Sequence, residues 1–168
     1  NPCTWVDDGC GGPFLKSVQD GKLILGSAPG NFAAIWVDEP LSGDVSVRLE
    51  ATSRTGDIVA ASVHVGAYQT CSRSLSGLVH FGTGEMALVR STPGAANWLA
   101  SKFLDPPLLE DEVLSIQLDC IGGELQLRVW RPELGENERP EMPTLRAPAG
   151  TTLLSGVAGT FCYGQAAY

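Results

Sequence analysis

Two histidines and a tyrosine are the side chains of this sequence best suited to moving protons near neutral pH. His64 and His80 both fall on the polar parity of alternating apolar segments, and Tyr68 follows the first of these segments. Imidazole changes charge between about pH 5 and 8, and such a group can act as a general acid or base. The three residues are therefore a candidate proton-transfer site. The alternative is that both histidines are ordinary, partly exposed strand residues.

Other familiar catalytic and phosphate-binding patterns are missing from the sequence. It contains no Gly-x-Ser-x-Gly and no His-Glu-x-x-His motif. Residues 9–12 read Gly-Cys-Gly-Gly, but no lysine follows at the spacing of a phosphate loop. Glu110, Asp111 and Glu112 are consecutive and would point to alternating faces of a strand, so we interpret them as a charged turn.

A second group of polar and aromatic side chains would suit a sugar ligand. Aromatic rings stack on the apolar faces of pyranose rings, while Arg and Gln hydrogen-bond to hydroxyl groups. The candidate ligand-binding residues are Arg48, His64, His80, Trp98, Arg128 and Trp130. Four further residues share their polar parity, namely Glu50, Ser62, Gln117 and Gln126. The alternative is that all of these are solvent-facing residues of two separate sheets, since the sequence does not say which strands share a sheet.

Alternation of polar and apolar residues dominates the sequence and predicts half-buried β-strands. The predicted strands are Lys22–Leu25, Phe32–Val37, Asp44–Ala51, Ile58–Val65, Leu75–Phe81, Glu85–Arg90, Val113–Cys120, Glu124–Arg131 and Val157–Tyr163. Glycine-containing turns at residues 82–84 and 121–123 predict hairpins. Two segments are predicted to be loops, Thr92–Lys102 with Trp98 in it, and the Pro- and Glu-rich Pro132–Pro148. The pattern indicates an all-β, two-sheet antiparallel β-sandwich.

Length and charge restrict the function classes. The 168 residues are enough for one domain, and we expect a single domain over 1–168, either whole or cut from a larger protein. A net charge of −8 would repel a phosphate backbone, so nucleic acid is excluded as a partner. No run of 18 apolar residues is present, so we expect no membrane span. The acidic balance favours a secreted or periplasmic location.

Five cysteines are scattered along the chain without a Cys-x-x-Cys pair, which argues against a metal knuckle or a redox motif. Cys3 and Cys10 flank a short loop and could form a disulfide. Cys120 and Cys162 could be neighbours across a sheet, and the odd number of cysteines leaves at least one of them unpaired within the chain. The alternative is that the cysteines are buried free thiols, because free cysteine is among the most buried residue types.

The order of the segments resembles a known family. Asp20–Leu23, Ala33–Trp36 and Gly43–Glu50 are followed by Ser76–Leu78, Leu125–Trp130 and Ser155–Gly159. This succession resembles the concanavalin A-like (laminin-G-like) jelly-roll domains of secreted bacterial proteins over residues 14–164. The resemblance implies the jelly-roll sandwich, a fold that serves enzymes, lectins and spacers alike.

The resemblance also bears on catalysis. Enzymes of this fold that cleave β-glucans carry a Glu-x-Asp-x-x-Glu motif, in which two glutamates perform retaining hydrolysis. The motif is missing here, because Ala87 stands two residues after Glu85. We therefore expect no catalytic residues, no cofactor, and a glycan-binding or accessory domain with carbohydrate, or a catalytic domain of the same polypeptide, as partner. The alternatives are a divergent polysaccharide-cleaving enzyme using His64, His80 and Tyr68, or a structural domain attached to a hydrolase or phosphoesterase domain outside this chain.

Calcium is the one metal that the resemblance brings into question. Many sandwiches of this fold hold a structural Ca²⁺ with carboxylates and backbone carbonyls. Asp7 and Asp8, or the pair Asp38 and Glu39, are the candidate ligands. An N-terminal turn explains the first pair equally well.

Overall fold

Two antiparallel sheets of seven strands each form the protein. The computed structural model describes residues 5–7, 14–19, 22–27, 32–37, 40–53, 58–65, 73–92, 95–109, 111–132, 139–150, 156–163 and 165–167. The described residues form fourteen strands, and every strand pair is antiparallel. The all-β sandwich predicted from the alternating pattern is therefore confirmed.

The first sheet has the strand order β1-β4-β13-β6-β7-β8-β9. Its strands, in that order, are Trp5–Asp7, Phe32–Val37, Gly156–Tyr163, Ile58–Val65, Ser74–His80, Glu85–Thr92 and Ala95–Phe103. β13 lies in the interior of the sheet, between β4 and β6, and β9 is an edge strand whose only partner among the described strands is β8.

The second sheet has the strand order β12-β11-β10-β5-β14-β3-β2. Its strands, in that order, are Leu145–Pro148, Glu124–Trp130, Val113–Ile121, Val45–Ser53, Gln165–Ala167, Lys22–Ser27 and Phe14–Gln19. β14 follows β13 directly in the chain but lies in the opposite sheet, between β5 and β3.

The core lies between the sheets and consists of the apolar side chains that point inward at every second position of each strand. Fully buried residues from the first sheet include Val59, Leu75 and Leu88, and those from the second include Ile116 and Leu127. The two sheets approach closely where Gly77 of β7 faces β11, because a Cβ at that position would lie 2.6 Å from Leu127 Cδ1. A larger residue at position 77 would therefore require the buried Leu127 side chain to shift, and the glycine allows the two sheets to approach closely at this point.

Two of the segments predicted to be loops contain strands. Residues 95–103 form β9, so Trp98 lies on a strand rather than in a loop, and residues 145–148 form β12. The prediction for the first segment was wrong because Pro93 and Gly94 suggested a longer irregular stretch, whereas Thr92 and Ala95 already pair across the strands. The hairpin turn at Gly122 and Gly123 is confirmed, and both residues have positive φ.

The pairing of Cys120 with Cys162 is wrong. Cys120 lies on β10 of the second sheet and Cys162 on β13 of the first, and the Cys120 thiol is free. Both residues belong to the buried core, which matches the alternative of buried thiols for Cys120. Burial, together with the neighbouring Asp119 carboxylate, raises the pKa of the Cys120 thiol to about 12. Cys3, Cys10 and Cys71 lie outside the described residues.

Within the described residues, no helix is long and apolar enough to cross a membrane.

Candidate functional site

The structure divides the sequence-predicted ligand-binding residues between the two outer faces of the sandwich. Arg48, Arg128 and Trp130 lie on β5 and β11 of the second sheet. Two more, His80 on β7 and Trp98 on β9, belong to the first sheet. The backbone of His64 is in the first sheet too, on β6 opposite Ser74, but its side chain lies outside the described residues. These residues therefore do not form one groove.

A buried polar network occupies the outer face of the second sheet. Asp119, which is 3% exposed, accepts hydrogen bonds from Ser46 Oγ at 2.6 Å and from Gln117 Nε2 at 2.7 Å. Arg128 Nη1 donates to the other carboxylate oxygen of Asp119 and forms an ion pair with it. Charge-assisted bonds of this kind are stronger than those between neutral groups, and burial removes the competing water. The network therefore fixes the side chains of β5, β10 and β11 in one arrangement.

Arg128 also fastens the segment before β12 onto this sheet face. Its Nε donates to the Pro140 carbonyl at 3.2 Å, and its Nη2 lies 3.4 Å from the Glu141 carbonyl and from Gln126 Oε1. With Asp119 bound at Nη1, each of the three guanidinium nitrogens already has an acceptor. The observed contacts assign Arg128 a structural position rather than one open to a ligand.

The face of Trp130 is occupied in a similar way. The Arg48 guanidinium lies over the indole ring at 5.0 Å from its centroid, which is cation–π geometry. Trp130 itself is 7% exposed, whereas the Arg48 side chain is 43% exposed and also contacts Glu50 at 3.3 Å. A sugar ring would have to displace Arg48 before it could stack on Trp130.

Arg131 fastens a second segment, the one between β9 and β10. It forms an ion pair with Glu112, and its Nη2 donates to the carbonyls of Pro106 and Pro107 at 2.9 and 3.2 Å. Burial alone would raise the pKa of Glu112, but the hydrogen bonds from Arg131 and from the Leu109 N–H outweigh it and hold the pKa below its ordinary value. The charged turn predicted here is confirmed for Asp111, which has a φ of 58°.

The Glu112 carboxylate predicts a pH-dependent contribution to stability. A carboxyl whose pKa is lower in the folded state stabilises the fold above its ordinary pKa of 4.5, and that contribution is lost as the pH falls through the folded value. We expect Glu112→Gln to lower the free energy of unfolding by about 1 kcal/mol at pH 7 and by progressively less below pH 4.5. Urea denaturation of both proteins across this pH range measures the difference. A difference that stays constant with pH would contradict the assignment.

The central part of the first sheet's outer face is small and closed. Ser62, Ser76 and Val89 follow one another across β6, β7 and β8 in register, and each is at most 5% exposed. Ser62 Oγ donates to Ser76 Oγ at 2.9 Å, so these hydroxyls satisfy each other. Beside them, Ala60, Leu78 and Ala87 form a second apolar cluster together with Val89. A ligand therefore has no access to the middle of this face.

The edge of the same face is open and aromatic. Trp98 of β9 lies opposite Val89, and Phe103 lies opposite Glu85. They are 52% and 60% exposed, which is unusual for such large apolar side chains. A bulge between the positions opposite Leu88 and Val89 shifts the register, so that Trp98, five residues before Phe103, shares its face. We call Trp98 and Phe103 the β9 aromatic pair.

Phe103 was missed by the sequence analysis, although a signal for it exists. Its partner Glu85 lies four residues from Val89, the partner of Trp98, which places the two aromatics about 13 Å apart along the strand. Had β9 been recognised as a strand, alternation would have placed Phe103 and Ser101 on one face. The bulge would still have hidden Trp98, because it inverts the parity.

His80 of β7 lies opposite Glu85 of β8, one strand further from the β9 edge. Its Nδ1 accepts the backbone N–H groups of Gly82 at 3.1 Å and Thr83 at 3.2 Å, so it caps the turn before β8. Only Nε2 is left for another partner, and an accepting Nδ1 requires that nitrogen to be unprotonated. Tyr68, the third residue of the candidate proton-transfer site, lies outside the described residues.

The candidate calcium ligands are not placed by the structure. Asp8, Asp38 and Glu39 lie outside the described residues, as does the side chain of Asp7. Within the part of the chain that the structure describes, no three His, Cys, Asp or Glu side chains come close enough together to hold a metal ion.

Comparison with solved structures identifies the fold. Carbohydrate-binding module CBM66 from Bacillus subtilis is similar with a TM-score of 0.74 at 11% sequence identity, over 99% of this chain and 92% of that one. The β-glucanase of Bacillus licheniformis is similar with a TM-score of 0.64 at 10% identity, over 100% and 90% of the two chains. The fold is the concanavalin A-like jelly roll.

A domain with a bound oligosaccharide shares this fold as well. The exoplasmic/lumenal domain of VIP36, in its form with Ca²⁺ and Man3GlcNAc bound, is similar with a TM-score of 0.62 at 10% identity, over 97% of this chain and 82% of that one. No protein-family model matches the sequence, and no curated protein matches it. The solved structures similar to this chain thus include a carbohydrate-binding module, a β-glucanase and a domain with Man3GlcNAc bound.

Proposed function

We propose that this domain binds a glycan chain through the β9 aromatic pair and has no catalytic apparatus of its own. The observation that carries the proposal is the exposure of Trp98 and Phe103, 52% and 60%, on one face of the edge strand. Aromatic rings bind the apolar faces of sugar rings and leave the hydroxyls to polar neighbours. Ser101, which lies opposite Ala87 on the same face of the strand, is exposed and can supply such a hydrogen bond.

The spacing of the pair favours a chain over a single sugar. Two rings about 13 Å apart are too distant to hold one monosaccharide between them. They are instead placed to contact two separated units of an extended oligosaccharide. An edge strand also suits this ligand, because it leaves one side of the binding face free for a long chain to pass. The similar carbohydrate-binding module CBM66 and the VIP36 domain with Man3GlcNAc bound support the ligand class.

The sequence and the hydrogen bonds of His80 support the part of the proposal that assigns this domain no catalytic apparatus. The Glu-x-Asp-x-x-Glu motif of β-glucan-cleaving relatives is missing, with Ala87 in place of the aspartate after Glu85. His80, the candidate base beside Glu85, already has Nδ1 occupied by two backbone donors. An accessory role beside a catalytic domain, in a secreted or periplasmic protein, accords with such a binding module.

Replacement of Trp98 tests the proposal. We expect Trp98→Ala to weaken binding to the recognised polysaccharide about tenfold or more, because a central aromatic contact contributes on the order of 2 kcal/mol. The measurement is affinity electrophoresis against a panel of polysaccharides, with calcium and again with chelator. Phe103→Ala should weaken binding as well.

Met142→Ala is the matched control, because Met142 is 70% exposed and belongs to the segment on the second sheet. It should leave retention unchanged. The wild-type protein should release no reducing sugar from any polysaccharide that it binds. Release of product, or full retention by Trp98→Ala, would contradict the proposal.

A further inference from the structure

A cavity of about 260 Å³ opens at the end of the sandwich where β7 begins and β8 ends. Its lining residues are Arg73, Ser74, Leu75, Arg90, Ser91, Thr92 and Gly150. The set combines two guanidinium groups with three hydroxyls and contains no carboxylate. In a chain of net charge −8, such a local excess of positive charge favours an anionic ligand at this cavity.

The two arginines differ from the other arginines of the described residues. Arg48, Arg128, Arg131, Arg139 and Arg146 each have a carboxylate oxygen within 4.0 Å. Arg73 and Arg90 have no such ion pair within the described ranges. Acidic residues outnumber basic ones, 19 to 11, so the composition supplies enough carboxylates to pair with every arginine. A shortage of carboxylates therefore does not explain why these two arginines lack an ion pair.

Arg90 is held in place without being satisfied. Its Nη1 donates to the Ala149 carbonyl at 3.3 Å, whereas its Nε is buried and has no hydrogen-bond partner in the described part of the chain. A buried donor without a partner is destabilising, so the contacts of the described residues leave the Arg90 guanidinium incompletely satisfied. Gly150, with a φ of 68°, leaves room for this guanidinium, because a Cβ there would collide with Arg90 Nη1. The backbone thus makes space for the arginine rather than for an apolar side chain.

The cavity joins the glycan-binding face of the first sheet. Ser74 lies opposite Ser91 of β8, two residues along from the pair of Ser76 and Val89. Because Val89 in turn lies opposite Trp98, about 7 Å of strand separates the level of Trp98 from the cavity lining at Ser91. Arg90 lies opposite Leu75 and Asn97, on the parity that faces the other sheet, so a chain stacked on Trp98 reaches its guanidinium by turning around the end of the sheet past Ser91 and Thr92.

We propose that this cavity binds the carboxylate of an acidic sugar, with Arg73 and Arg90 as its cationic ligands and Ser91 and Thr92 as hydroxyl partners. A guanidinium presents its N–H groups in a planar fork that matches a carboxylate. The volume lies near the lower end of small-molecule sites, which suits a single sugar unit. This inference rests on the proposed glycan binding and adds to it the chemical class of the ligand, an acidic glycan.

Nuclear magnetic resonance titration with monosaccharides tests the cavity separately from the aromatic pair. At constant ionic strength, sodium glucuronate should shift the backbone amide signals of Ser74, Ser91 and Thr92, and glucose should not. Arg73→Gln should weaken glucuronate binding about tenfold. Arg90→Lys provides a second variant that keeps the positive charge but loses the fork, and it should weaken binding too. Arg146→Gln, an exposed arginine of the second sheet, is the control and should have no effect.

Three results would overturn the inference. Equal shifts with glucose would show that the carboxylate is not recognised. Equal affinity for inorganic sulfate and glucuronate would show an adventitious ion only. Unchanged binding by Arg73→Gln would remove the arginine from the site. Each is distinct from failure of the aromatic pair, because Trp98→Ala should leave glucuronate shifts at these three amides intact while polysaccharide retention falls.

Discussion

Asp119→Asn should lower the free energy of unfolding by about 3–5 kcal/mol, because it removes the negative partner of a buried ion pair. Asn keeps the shape of the side chain, so the loss reports the charge and not a cavity. The Arg128 side chain is only 10% exposed and would remain in the sheet face without a counter-charge. Ser46 and Gln117 would also donate to a weaker, neutral acceptor. Urea denaturation at pH 7 measures the change.

Glu124→Gln provides the matched control for this measurement. Glu124 pairs with Arg146 at 3.8 Å on the same sheet, but both side chains are more than 40% exposed. Its replacement should cost less than about 1 kcal/mol, because exposed ion pairs contribute little. If Asp119→Asn cost no more than this control, the buried network would not stabilise the fold in the way its geometry indicates.

Gly77→Val should also destabilise the protein, by about 3 kcal/mol. Even a single added carbon at Gly77 would lie 2.6 Å from Leu127 Cδ1, and Leu127 and Leu118 are both fully buried. Added volume in a filled core forces the sheets apart or pushes side chains out of their preferred rotamers. Thermal denaturation followed by far-ultraviolet circular dichroism should show a lower Tm.

A double-mutant cycle tests the cause of this effect. Leu127→Ala alone should cost about 2–5 kcal/mol through the cavity it leaves. Combined with Gly77→Val, it should cost clearly less than the sum of the two, because the valine fills part of that cavity. Strictly additive costs would mean that steric contact between these two positions does not cause the loss.

The sequence predicts those parts of the fold in which local alternation and global burial agree. β5, β6, β10 and β11 alternate cleanly because one face of each packs against the opposite sheet. β9 escaped prediction because it is an edge strand with little to bury, and its burial pattern is nearly uniform exposure. The short β12 was hidden in a segment rich in proline, where pairing with β11 overrides local preference.

Alternation along the strands predicts only part of the candidate site. Parity selects residues that point away from the core, and it did so for Arg48 and His80. It does not reveal that their strands lie in different sheets, because sheet membership depends on long-range pairing. Nor does it distinguish an open side chain such as Trp98 from Trp130, which Arg48 covers. The cavity with Arg73 and Arg90 is also not predictable from alternation, because three segments far apart in the sequence form it.

The position of the last two strands has a consequence for how the protein is made. β13 joins β4 to β6 in one sheet, and β14 joins β3 to β5 in the other, so within the described residues β1 to β4 are hydrogen-bonded to the remaining strands only through them. On the ribosome, β4 is complete at Val37 and can pair with β1, yet its second partner, β13, begins at Gly156. Open edges of this kind, waiting for a distant partner, make folding slow and invite aggregation. We therefore expect the two sheets to be completed only after β13 and β14 have been synthesised.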